Sequence, residues 1–380
     1  MYHKKLEYML SNDPGATISA NGSDIRKKVR PLFINFLKLG NKLKLVIEKN
    51  EFKSCDRPVI YVACHAFKDD VLNTILTNND DTYVVFGNID LFYHTFDGLC
   101  LWVYGTQLVN RYNKESKNAM KNKMDKIIEY GNNILIFPEA TWNLSENQLM
   151  LPLHWGFYDI AKKHNALIVP VLTYKVGNKC YSRQLSAVDI NNVLKSDKEF
   201  AIKLMKKYLI DASNIMLYQD KKTKELQKMF FELDYYINEY EKESSDFNYK
   251  NIQLFANYCS KCVKESIDCI DDEIKVAAYQ SVSILLSRIG TAIKEAQVLR
   301  IRDIMAAEKY DLYEKHPDNS YMSDGKTMYE AWDDYIEDTV NGTPYFYREP
   351  EATTVFKDPL VQNIDEVMPW LYNKEYVKRR

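Results

Sequence analysis

The chain has 380 residues, enough to bury a sizeable core in one large or two modest domains. Its 51 Lys and Arg against 53 Asp and Glu give a net charge of −2, which argues against a general electrostatic attraction to nucleic acid. No run of about 18 apolar residues occurs, so no transmembrane helix is expected. Met1–Ser11 carries Lys4, Lys5 and Glu7 in place of an apolar signal-peptide core.

The expected location is therefore the cytoplasm, with association at the inner face of the membrane as an option. Seven cysteines then read as reduced thiols. Cys259-x2-Cys262 with Cys269 lies in a helical pattern with no second CxxC or paired His, so no metal site is expected there. Lys27, Lys28 and Arg30, and the terminal Lys378, Arg379 and Arg380, read as solvated tails that also suit an anionic membrane surface. Aromatics at 13% fit interfacial contact or, equally, a tyrosine-rich core and surface.

In chain order, residues 1–25 are polar and expected to be loosely ordered, within a polar N-terminal segment of residues 1–30. Arg30–Leu39 is a short apolar helix or lead-in. Lys42–Glu48 alternates and predicts a strand, and Pro58–Cys64 a second, buried one with Pro at its start. Asp69 or Asp70 caps a helix over Val71–Leu76. Thr82–Phe86 is a third strand, Leu91–Tyr104 an apolar helix or wall, and Gln107–Asn110 a short strand ending at Arg111. Lys114–Tyr130 has helical periodicity and stops at Gly131. Asn133–Phe137 is a strand leading into Pro138, Trp155–His164 a helix, and Ala166–Tyr174 a strand before a turn at Gly177-Asn178. Strands alternating with helices predict an α/β domain over residues 31–190, with a mixed, mostly parallel sheet flanked by helices. From 191 to 340 the chain is almost free of Gly and Pro and reads as an added C-terminal all-helical region, followed by an aromatic and basic tail over 341–380.

The most informative pair is His65 and Asp70, an H-x4-D spacing directly after the apolar run Val59-Ile60-Tyr61-Val62. A carboxylate beside a histidine sets its tautomer and stabilises the imidazolium, which makes a general base. Spacing alone is weak, because His154 and Asp159 fit it too. No strand precedes His154, and positions i and i+5 on one helix do not face each other, so the second pair reads as structural or as a substrate-side contact.

Further polar stretches sit at predicted strand ends: Gly105 to Arg111, Phe137-Pro138-Glu139-Ala140-Thr141-Trp142-Asn143, and His154-Trp155-Gly156 before Leu167-Ile168-Val169-Pro170-Val171. The carboxyl ends of parallel strands converge on one crevice, which brings His65, Arg111 and Glu139 within reach of a common site. Arg suits a bidentate phosphate contact, and Thr141 offers a hydroxyl.

This ordered set resembles the glycerolphosphate and lysophospholipid acyltransferase family (1-acylglycerol-3-phosphate acyltransferase-like). That family carries an NHxxxxD block, a G-x5-R block, an FPEGTR block and a late V-P-V strand, and counterparts of all four occur in order over residues 40–175. The resemblance implies an O-acyltransferase that moves an acyl chain from acyl-CoA or acyl-carrier protein to a hydroxyl of a lysophospholipid-like or other lipid or glycan acceptor, beside a membrane surface. It implies His65 as the base, Asp70 as its orienting partner, and Arg111, Glu139, Ala140, Thr141 and Trp142 on the acceptor. The thioester is already activated, so no metal, cofactor or covalent enzyme intermediate is expected.

Three residues depart from the family pattern. Cys64 replaces the Asn before the histidine, Ala140 replaces the Gly of EGTR, and Trp142 replaces its Arg. Loss of that cation removes a charge-assisted contact of about 1.5–3 kcal/mol, which points to a bulkier or less phosphate-centred acceptor. The departures keep open a lipid- or partner-binding protein with little turnover, and, more distantly, a thioesterase-like hydrolase. For single residues the bland readings are a surface ion pair for Arg111 and a structural carboxylate on backbone amides for Glu139. Cys64 as a nucleophile is disfavoured, because a strand neighbour of His65 points to the opposite face. No G-x-S-x-G, G-x4-G-K-[ST] or G-x-G-x-x-G motif occurs.

Overall fold

The apolar run at Val59–Ala63 forms the central strand of a seven-stranded sheet, and all five of its residues are buried. A strand covered on both faces has no use for polar alternation, hence its continuous β-branched and aromatic character. A computed structural model describes residues 10–317 apart from 68, 79, 88–95, 111–112, 141–142, 144–148, 217–220, 243–245 and 271. The described chain divides into two compact units, residues 10–192 with 301–317, and residues 193–300.

In the first unit the elements run α1 (Pro14–Thr17), α2 (Ala20–Gly40), β1 (Lys44–Asn50), β2 (Val59–Ala63), α3 (Asp70–Thr77), β3 (Thr82–Phe86), α4 (Phe96–Tyr104), β4 (Gln107–Leu108), α5 (Lys114–Glu129), β5 (Asn133–Ile136), α6 (Gly156–His164), β6 (Leu167–Val176) and β7 (Lys179–Gln184). The sheet order is β1-β7-β6-β2-β5-β3-β4, with every neighbouring pair parallel except the β6–β7 hairpin. This is the mixed, mostly parallel α/β sheet flanked by helices that the strand–helix alternation predicts.

On one face, Leu37 of α2 and Val71 and Ile75 of α3 pack with Val59, Tyr61, Ala63, Val84, Leu135, Val169 and Val171. On the other, α5 packs on β5 and α6 on β2. Asn113 caps α5 by accepting the Ser116 N–H, and Gly131, at φ +68°, follows its end in the left-handed conformation that glycine adopts without cost.

Two expectations change. Residues 20–25 are not loosely ordered, because α2 starts at Ala20 and the short Arg30–Leu39 segment is only its second half. The Ser19 hydroxyl oxygen caps it by accepting the Gly22 N–H, and buried Ser23 donates to Asn132 Oδ1. The turn at Gly177-Asn178 leads into a strand that the reading did not include. In β7 the apolar pattern is broken by Ser182, Arg183 and Gln184, all buried. The Arg183 side chain is fully buried and meets carboxylates of Glu48, Glu308 and Asp311. A charge compensated by residues from distant segments leaves no local signal.

The second unit holds α7 (Lys195–Ile215), α8 (Lys221–Lys242), α9 (Asp246–Ile267), α10 (Glu273–Ile289) and the start of α11 (Ala292–Lys315). Buried Ala201, Met205, Tyr208 and Ala212 recur at helical spacing along α7 and join Leu233, Ile237, Ala256, Val282 and Leu286 in one core. The sequence predicts one continuous helical region over residues 191–340, but from Ile301 onward α11 belongs with the α/β unit. Among the described residues no single helix is long and apolar enough to cross a membrane.

Candidate active site

β2 ends at Ala63 and α3 begins at Asp70, so the turn between them folds His65 back towards the carboxylate. His65 Nδ1 lies 2.9 Å from Asp70 Oδ2 and 3.0 Å from Oδ1. Asp70 Oδ2 also accepts the backbone N–H groups of Ala66 at 2.7 Å and Phe67 at 3.0 Å. These donors hold the carboxylate in one orientation at the start of α3, where the helix dipole favours a negative charge. Asp70 is fully buried, whereas 13% of the His65 side chain remains exposed, so the ring is reachable and its partner is not. Phe137 packs against the ring with centroids 4.9 Å apart.

β5 lies next to β2 in parallel, so the segment after it emerges beside His65. Glu139 Oε1 accepts the His65 N–H and Oε2 the Leu151 N–H, each at 2.9 Å. The Asn143 N–H donates to the His65 carbonyl at 2.6 Å, and the His154 N–H to the Pro138 carbonyl at 2.9 Å. Glu139 is 1% exposed, and burial pushes its carboxyl above the usual carboxylate range against the opposing pull of Lys309 and these N–H donors. Glu139 was expected on the acceptor. Here both its oxygens tie backbone segments together, as the structural-carboxylate reading has it.

The structure brings His65, Asp70, Glu139 and Ala140 together. Arg111, Thr141 and Trp142 lie outside the described residues. Buried Cys64 points its thiol at the Thr173 carbonyl, 3.5 Å away, and burial pushes that thiol up to about 11, so it is protonated and unsuited to attack at neutral pH. His154 lies exposed at the entry to α6, with Asp159 in that helix's first turn.

Residues 44–174 match the family model described as Acyltransferase. The chain is also similar to the crystal structure of the 1-acyl-sn-glycerophosphate (LPA) acyltransferase PlsC from Thermotoga maritima, at 18% identity over 44% of this chain and 72% of that one, with a TM-score of 0.35. No curated protein matches.

Within the matched segment, the glycine positions of these blocks acquire physical reasons. Gly105 has φ +109°, and a Cβ there would stand 2.9 Å from Arg26 Nη1. The missing side chain leaves room for that guanidinium over the turn, where Nη1 donates to the Tyr104 carbonyl at 2.7 Å. Ala140 occupies the position of the EGTR glycine and keeps the glycine conformation, with φ +57°.

Two further groups come from outside the matched segment. Arg302, 2% exposed, donates from Nε and Nη2 to the Met150 carbonyl, at 3.2 and 2.5 Å. Lys309, 8% exposed, donates to the Leu149 carbonyl at 2.8 Å. Both clamp the loop whose next residue, Leu151, binds Glu139. No sequence motif marks them; buried cations at one helical repeat of seven on α11 are the signal, visible only once the fold is known.

Proposed function

We propose that the chain transfers an acyl group from acyl-CoA or acyl-carrier protein to a hydroxyl of a lipid acceptor, with His65 as general base. The observation that carries this reading is the His65 Nδ1–Asp70 contact at 2.9–3.0 Å in a segment of the Acyltransferase family. With Nδ1–H donated to the carboxylate, Nε2 is the nitrogen that takes the acceptor proton. The acceptor oxygen attacks the thioester carbonyl carbon as Nε2 removes its proton. The C–S bond then breaks, and the imidazolium returns the proton to the departing sulfur. Asp70 stays ionised, stabilising the imidazolium in between.

The acceptor side is where this chain departs from its family, so a bulkier or less phosphate-centred lipid is favoured over a lysophosphatidate. Work at the cytoplasmic face of a membrane fits α2, whose Ile25, Val29, Leu32, Phe36 and Leu39 form an exposed apolar stripe at heptad spacing beside Lys28 and Lys38.

The test is thiol release from decanoyl-CoA and decanoyl-carrier protein by the full chain across a panel of lysolipid, monoacylglycerol and glycolipid acceptors. Acceptor-dependent release that His65→Ala abolishes is the expected result. Most of the activity surviving in His65→Ala would overturn it. Binding without turnover across the panel would favour the lipid-binding reading, and release of free acid without any acceptor the hydrolase.

A further inference from the structure

β2, β5, β3 and β4 run parallel, and His65 and Glu139 stand at the carboxyl ends of β2 and β5. At the opposite end, before β3 and β4, a cavity of about 430 Å³ lies between α2, the end of α4 and the turn at Gly105. Six buried side-chain atoms of its lining residues have no hydrogen-bond partner among the described residues. They are Thr17 Oγ1, Arg26 Nε, Arg30 Nε, Asp81 Oδ1, Thr106 Oγ1 and Gln107 Oε1. Buried polar groups nearly always find partners, so six orphans around one cavity call for an occupant.

Their chemistry narrows it. Two are N–H donors, two are acceptor oxygens, and two are hydroxyls that do either. Arg30 Nε and Asp81 Oδ1 are 3.7 Å apart, too far for a hydrogen bond, and a ligand hydroxyl between them would accept from one and donate to the other. An anion would face Asp81 and Gln107 Oε1, and a cation would face two guanidiniums. The guanidiniums are otherwise committed: Arg26 donates to the Thr82 and Tyr104 carbonyls and to Asp81, and Arg30 to the Asn78 and Asp80 carbonyls. The rim is apolar and exposed at Ile25, Val29, Trp102 and Val103, the first two belonging to the α2 stripe.

We propose that this cavity binds an uncharged polyol, with an alkyl chain on that polyol lying across the apolar rim. The site is separate from the His65 chemistry and stands whatever reaction His65 performs.

The experiment is isothermal calorimetry on the full chain with 1-O-decylglycerol below its aggregation concentration, with glycerol and with decanoate. The ether is chosen because it is no acyl donor. The expected result is saturable binding of decylglycerol, at least tenfold weaker in Thr106→Val and in Gln107→Leu and unchanged in His65→Ala. Binding of glycerol itself, lost in Thr106→Val, would support the polyol site and assign it to a soluble polyol. No saturation by either, equal binding of decanoate, or indifference to both substitutions would overturn the proposal, leaving the cavity to ordered water. Thr106→Val and Gln107→Leu keep side-chain shape and remove orphaned groups, so their melting temperatures are expected to hold. If either fails to fold, the contrast between decylglycerol and decanoate on the unmodified chain still decides.

Discussion

The backbone N–H of His65 donates to Glu139 Oε1 at 2.9 Å, joining the carboxyl ends of two adjacent parallel strands. His65 is thus held twice, through its ring by Asp70 and through its backbone by Glu139. Each hold can be removed separately.

Asp70→Asn keeps the shape and removes the charge that orients and stabilises the imidazolium. The expected loss in kcat/KM is about 10²–10⁴-fold, the contribution typical of a positioned base. Steady-state thiol release, with circular dichroism to verify the fold, measures it; activity within threefold of the parent would contradict the role given to Asp70.

Lys309→Met tests the clamp from α11. The charged or titratable groups facing Glu139 are Lys309 from α11 and His65 and Cys64 just after β2. Burial already raises the Glu139 carboxyl, and Lys309 opposes this. A carboxyl raised in the folded state binds its proton more tightly there, so the stability penalty of ionising it grows as pH rises from the ordinary value through the raised one. Without Lys309 that window extends upward. Protonated Glu139 loses acceptor strength towards His65 and Leu151, so the acid limb of the kcat/KM profile is expected at higher pH, with Lys309→Arg restoring it. A uniform drop at every pH would mean that Lys309 acts only through the Leu149 carbonyl.

Ala140→Gly is expected to stabilise. An L-residue in the left-handed region costs about 1–2 kcal/mol, while glycine brings roughly 0.5–1 kcal/mol of extra unfolded-state entropy, leaving up to about 1.5 kcal/mol in favour of glycine. Urea denaturation monitored by fluorescence reads the sign directly.

Gly105→Ala is expected to do the reverse, costing about 1–3 kcal/mol, because the strained backbone conformation is compounded by contact with Arg26. The same denaturation experiment applies. A neutral result would show that Arg26 moves aside freely.

Leu32→Ser with Phe36→Ser addresses the α2 stripe. Each apolar side chain fully buried in an interface contributes about 1.5–3 kcal/mol, so the pair should weaken co-sedimentation with anionic vesicles by well over tenfold. Thiol release from a water-soluble acyl-CoA to a short-chain acceptor should persist. Undiminished vesicle binding would place the membrane contact elsewhere.

What the chain order alone determined was the local part of this protein. His65 and Asp70 are five residues apart, so a strand end and a helix start bring them together without help from elsewhere. The β2, β3 and β5 runs are apolar because both of their faces are covered, and that was legible for the same reason. The start of α2 was not legible, since Ser23 is matched by Asn132, 109 positions downstream, and Arg26 by Asp81, 55 positions downstream. Nor was β7, whose Arg183 is tolerated only because Glu48, Glu308 and Asp311 converge on it. Arg302 and Lys309 reach the loop after Glu139 from about 150 residues away. A buried charge is costly until its partners arrive, and those partners arrive only when the tertiary fold closes, so tertiary structure alone decided which distant cations brace the site.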